Sequence, residues 1–163
     1  LEGVFGAVKH VTTTKKLMDS NQIADLKIIA MVLDYPEADR KAMKTMDYQQ
    51  EMDWLVSCHS RNIVIRNVSI TQKGNTLVLF QYVEKHGKIL YDMINNKIGD
   101  TRKVFFVFGD TDTGTRCNLY DIADNLTWKS KKNYTLLHMI ERIKLYNEEG
   151  FSYKLVRISI NDK

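Results

Sequence analysis

The chain has 163 residues, 27% of them charged and 44% apolar, which suits one soluble domain with a core. Net charge is +4, but residues 1–124 carry 16 basic and 16 acidic side chains, so the whole excess lies in the last quarter. No apolar run approaches the roughly 20 residues of a membrane span, and no basic-then-apolar leader opens the chain. Cys58 and Cys117 show no metal-ligand spacing and make no disulfide framework, so the expected setting is reducing and intracellular.

In chain order, residues 5–18 read as an extended, threonine-rich lead-in, followed by a turn at 19–21. Residues 24–35, ADLKIIAMVLDY, form a β-branched apolar run that predicts the first strand, ended by Pro36. Helical spacing of Met43, Met46, Gln50, Trp54, Leu55 and Cys58 predicts one helix over 39–59, with its methionines and Trp54 in the core. Residues 61–72, RNIVIRNVSITQ, alternate, and propensity alone favours a strand there.

The stretch 76–116 organises the rest. Residues 76–83 are an apolar run of the kind a parallel strand shows when both faces are covered. Ile89, Leu90, Met93 and Ile94 give residues 84–96 one apolar helical face, and Gly99 and Asp100 stop that helix. Residues 103–108 are a second apolar run, so 76–108 reads as one strand–helix–strand unit. Its strand ends, near 82–87 and 109–116, lie where parallel sheets bind ligands. Beyond them, 117–122 predicts a short strand and 134–149 a helix. Asn133 is expected at the start of that helix, Gly150 at its end, and Leu136, Leu137, Ile140 and Ile143 on its core side. Residues 151–160 predict an edge strand. The fold class is α/β with a mostly parallel sheet.

Catalytic signals are few. No GxxxxGK[ST] phosphate loop occurs, no Asp-Glu pair follows a strand, and the four histidines lack ligand spacing. His138 is expected on a helix surface. The polar loop GDTDTGTR, 109–116, reads either as a phosphate cradle or as an ordinary turn. Lys129, Lys131 and Lys132 beside Trp128 and Tyr134 suit a phosphate backbone with stacking bases, or equally a solvated loop.

Taken together, HVTTTKKLMDSNQIADLKI, YQQE, SRN, LVLFQYVEKHGKILYDMI, KVFFVFGDTDTGTR, LYDIADN and YTLLHMIERIKLYNEEGFSY occur in the order found in the second motor domain of the UvsW-type helicases of tailed phages. The resemblance covers nearly the whole chain. It implies a RecA-like three-layer domain over 23–163, preceded by an interdomain lead-in over 1–22, and it makes residues 61–72 helical. It also implies the C-terminal motor of an ATP-dependent helicase that acts on branched DNA in recombination and repair, in the cytoplasm of a phage host; the alternative is a stand-alone nucleic-acid-binding domain derived from a helicase, without motor activity. DNA, single-stranded or branched, and an N-terminal motor domain are the implied partners, with no membrane. ATP and Mg belong to the full helicase; this chain alone should hold neither and should not hydrolyse ATP.

By the same resemblance, DNA contact falls on Lys85, His86, Thr113 and Arg116, beside the lysines of the basic loop. No catalytic residue is carried over. The segments bearing motifs V and VI have no counterpart and would fall between Arg116 and Cys117. Residues missing at that join are expected in preference to a true deletion.

Overall fold

The structure, a computed structural model, describes residues 12–20, 26–106 and 117–160. At its centre is strand β1, Leu26–Asp34, whose Ile28, Ala30, Met31, Val32 and Leu33 are all buried. Strands β2, Cys117–Asn125, and β3, Tyr153–Ser159, flank it. Both pair with β1 in parallel, giving the order β2-β1-β3. The register sets Leu26 against Cys117, Asp34 against Asn125, and Ile28 against Tyr153. A parallel strand with neighbours on both edges must be apolar on both faces, which is why 28–33 is an unbroken apolar run between Lys27 and Asp34.

Two helix layers cover the sheet. On one face Leu33, Tyr35, Leu126 and Ile160 pack with Leu55, Trp54, Cys58 and Val64. The last four side chains come from α3, Tyr48–Ser57, α4, His59–Thr71, and the residue that joins them. On the other face Ala30 and Ala123 meet Met139 and Ile143 of α6, Tyr134–Glu148. The two small side chains on the strands let α6 approach the sheet closely. The molecule is therefore an α/β domain with an all-parallel sheet between helices.

Several elements depart from the sequence reading. Residues 14–19 are not extended; they form α1, Thr14–Asp19, whose first turn is capped by the Thr13 hydroxyl. Burial of Met18 and the bond from the Thr14 hydroxyl to Glu149 (2.7 Å) hold α1 in place. The single helix expected over 39–59 is broken into α2, Glu37–Met43, and α3. The break follows from a capping box, in which Asp47 accepts from Gln50 N at 2.9 Å and Gln50 accepts from Asp47 N at 3.1 Å.

Residues 61–72 are helical, as the resemblance implied and propensity did not. Asn62, Ile65 and Ser69, spaced three and four apart, are the buried positions of α4. Arg102 caps the far end of α4, donating to Gln72 O (2.6 Å) and Gly74 O (2.9 Å).

The strand expected over 76–83 does not form, nor does the described part of its partner, residues 103–106; both lie outside the sheet. Their apolar side chains pack on one side only. Leu79 and Phe105 are 79% and 77% exposed, whereas Phe80 stacks on Phe106 with ring centroids 5.5 Å apart. The Phe80 ring also covers Gly87, where any Cβ would lie 2.5 Å from it. The Tyr82 carbonyl accepts from both His86 N and Gly87 N, which closes a π-turn, Val83–Gly87, ahead of α5, Lys88–Ile98. An acceptor used in that turn is not available to a strand ladder.

Helix α5 forms where a helix was expected but starts at Lys88 rather than at 84, with Leu90 and Ile94 buried, Ile89 exposed, and Gly99 at φ +57 closing it. In α6 the buried stripe is Met139 and Tyr146, and Leu137, expected in the core, is exposed. The loop 109–116 and the join at Arg116 lie outside the described residues.

Candidate nucleic-acid interface

The carboxyl ends of β1 and β2 carry the polar chemistry of the domain. Asp124, fully buried near the end of β2, accepts from the Tyr35 hydroxyl (2.7 Å) and from Arg61 Nε (2.9 Å), both on Oδ1. Burial and the Asp124 charge push the Tyr35 phenol well above its usual range. At the end of β1, Asp34 accepts from Arg157 Nε at 2.8 Å and from Asn125 at 2.7 Å. The Arg157 hydrogen bond holds the Asp34 carboxyl below its usual value.

Next along α4, Asn62 donates to Val56 O at 2.9 Å, which leaves its Oδ1 to accept from His86 Nε2–H at 3.0 Å. His86 was expected to meet DNA. The structure instead buries it, 7% exposed, as the link between the π-turn and α4. Burial, then the Arg61 charge, push His86 down to about 4 against an opposing pull from Asp124. An unfolded histidine titrates near about 6.5. The stability that neutral His86 contributes is therefore complete above about 6.5 and lost as pH falls towards about 4. The urea midpoint should drop from about pH 7 to about pH 5, and His86→Gln should flatten much of that drop. An unchanged pH dependence in that variant would place the titrating group elsewhere.

Lys85 projects from the same turn and pairs with Asp53 of α3 at 2.9 Å, both side chains well exposed. Its neighbour Lys88 pairs with Glu84 at 2.6 Å. Thr113 and Arg116 lie outside the described residues.

The basic loop follows β2. Trp128 and Lys131 exchange backbone hydrogen bonds of 3.1 and 3.0 Å, forming a tight two-residue turn. Lys129, its first central residue, has φ +53. Type II′ turns favour glycine at that place, and an L side chain there costs roughly 1–2 kcal/mol. Lys131 Nζ reaches the Lys44 carbonyl at 3.0 Å, and an Arg40 Nη reaches Thr127 O at 3.5 Å. The structure thus adds Arg40, in the last turn of α2, to Lys129 and Lys131, and the Lys44 backbone carbonyl as the acceptor that holds Lys131. Sequence reading missed these two because they lie more than 80 residues from their partners. Tyr134, 38% exposed, packs edge-on against Tyr48, 5.6 Å between centroids.

The loop is anchored from behind by Glu51, a buried carboxylate on α3. Glu51 accepts from Asn133 Nδ2 (3.0 Å), Tyr134 N (3.2 Å) and Thr135 N (3.1 Å). Asn133 stands at the helix start, as expected, but its side chain does not cap the helix. It accepts from Leu126 N at 2.9 Å and holds the loop closed instead. The negative charge at the first turn of α6 comes from Glu51. Through Asp53 and Glu51, α3 supports both the Lys85 turn and the basic loop.

Among the described residues no three His, Cys, Asp or Glu side chains gather as ligands, and Gly87-Lys88 lacks the hydroxyl and the leading glycine of a phosphate loop. Nor is any described helix long and apolar enough to cross a membrane.

An all-parallel sheet between helix layers, with its polar edge at the strand ends, makes an α/β domain consistent with a RecA-like fold. No protein-family model and no solved structure matches the chain. It is 36% identical over 126 residues to the ATP-dependent DNA helicase uvsW of Enterobacteria phage T4. The chain is thus related in sequence to the UvsW-type helicases. That match takes in 76% of this chain and 24% of the phage T4 protein, so the chain spans about a quarter of its relative.

Proposed function

We propose that this chain supplies the C-terminal motor domain of a UvsW-type, ATP-dependent DNA helicase acting on branched DNA in recombination and repair. The observation that carries the reading is the 36% identity to the phage T4 helicase. A parallel sheet with a basic loop at its ligand edge supports it. The role proposed for the domain is to grip one DNA strand by its backbone. Lys129, Lys131 and Lys132 give the main contact, with Arg40 beside them; Lys85, Thr113 and Arg116 give further ones. Lysine and arginine suit this task because each neutralises a phosphate and releases a counterion. ATP and Mg would be held mainly by an N-terminal motor domain, and closure of the two domains would move the gripped strand.

The test is a fluorescence anisotropy titration of labelled single-stranded and branched DNA. The chain should bind both at low salt, and the variant with Lys129, Lys131 and Lys132 all changed to alanine should bind both more weakly. Equal affinity of the variant and the wild type would remove the basic loop from the interface.

A further inference from the structure

We infer that the depression between α2 and the turn after β2 holds one unstacked nucleobase of a single DNA strand, laid against the Trp128 indole. The inference rests on the reading of the basic loop as a strand-binding surface and names what that surface recognises. The depression is open to solvent, has a volume of about 410 Å³ and is lined by Glu37, Arg40, Trp128 and Lys129. Its position follows from the topology. Helix α2 continues from the carboxyl end of β1 and the turn from that of β2, and this is the edge where open parallel sheets bind ligands.

The four side chains divide the recognition of a nucleotide between them. The indole offers a flat π-face, on which any base can stack. Glu37 is an acceptor for an exocyclic amino group, the way a carboxylate reads the N4 amino group of cytosine. Lys129 and Arg40 supply positive charge for the flanking phosphate.

The Thr127 carbonyl accepts from the Arg40 guanidinium and holds it at the depression, and one backbone feature points to a ligand there. Lys129 is the non-glycine residue with positive φ among the described residues, and backbone strain of this kind gathers at ligand clamps. A base within a duplex is stacked on its neighbours and has no free face to offer, so the site selects a single strand.

The experiment compares a labelled oligodeoxycytidylate with an abasic strand of the same length and charge, using the full chain. Wild type is expected to bind the base-bearing strand roughly five- to hundredfold more tightly. Trp128→Ala should reduce that affinity to the abasic level, and Trp128→Phe, which keeps an aromatic face, should retain most of the preference. Equal binding of both strands by the wild type overturns the inference while leaving the backbone grip standing. So does a preference that survives in a folded Trp128→Ala protein. Binding of neither strand overturns the strand-binding reading, and the base site with it. Because the comparison of strands is made first on the wild type, it does not depend on either variant folding.

Discussion

Arg61→Ala is expected to destabilise the domain by about 3–5 kcal/mol, the usual cost of stripping one partner from a buried ion pair. Asp124 is fully buried, and the Arg61 side chain is 12% exposed. Without the guanidinium, Asp124 keeps the Tyr35 hydroxyl on Oδ1, while Oδ2 has no hydrogen-bond partner among the described residues. One hydroxyl does not compensate a charge held away from water. The damage also spreads along α4, because Asn62, the next residue, holds His86 and through it the π-turn. Arg61→Lys should recover only part of the loss, since an ammonium lacks the planar fork and the reach of the guanidinium. Urea denaturation of Arg61→Ala, Asp124→Ala and the double variant gives the measurement. The double variant should be less destabilised than the sum of the two single changes. Additive losses, or an Arg61→Ala cost under about 1 kcal/mol, would show that the pair is not coupled.

Glu51→Ala should cost about 3 kcal/mol. Its carboxylate accepts from two backbone N–H groups at the start of α6 and from the Asn133 amide. Loss of a helix cap costs about 0.5–2 kcal/mol, and each buried donor left without a partner adds about 1–3 kcal/mol before relaxation. Glu51→Gln keeps one acceptor oxygen but gives up the favourable charge at the helix N-terminus, so it should fall between alanine and wild type. Hydrogen exchange should show the first turn of α6 and the Leu126 amide losing protection together, because Asn133 joins them. Protection unchanged in Glu51→Ala would mean that Asn133 and solvent cap the helix unaided.

What was legible in the sequence was what local pattern decides. The run of Ile28, Ile29, Val32 and Leu33 marks a doubly covered strand, and the spacing of Leu90 and Ile94 marks α5. The 61–72 segment shows the limit of pattern. Its alternation fits a strand, yet its buried positions are helical, and Arg102, some 30 residues on, caps the helix. Only the resemblance to known helicases pointed the right way there.

The 76–83 run misleads for a different reason. Its apolar side chains are real, but Phe80 spends its surface on Gly87 and Phe106 rather than on the sheet. Glu51 was invisible because a glutamate in a helix reads as surface, and its partners lie more than 80 residues away. The same separation hid Arg40 and Lys44 from the basic loop. His86 was assigned to DNA on resemblance alone, and nothing in the local sequence announces a buried partner at Asn62.

The central claim is that the basic loop grips the DNA backbone, and the salt dependence of binding tests it most directly. On single-stranded DNA each neutralised phosphate contributes about −0.7 to the slope of log K against log salt. Wild type should therefore show a steep negative slope, and changing Lys129, Lys131 and Lys132 to alanine should flatten it by about 2. An identical slope in the two proteins, or an affinity that salt does not alter, would contradict the claim.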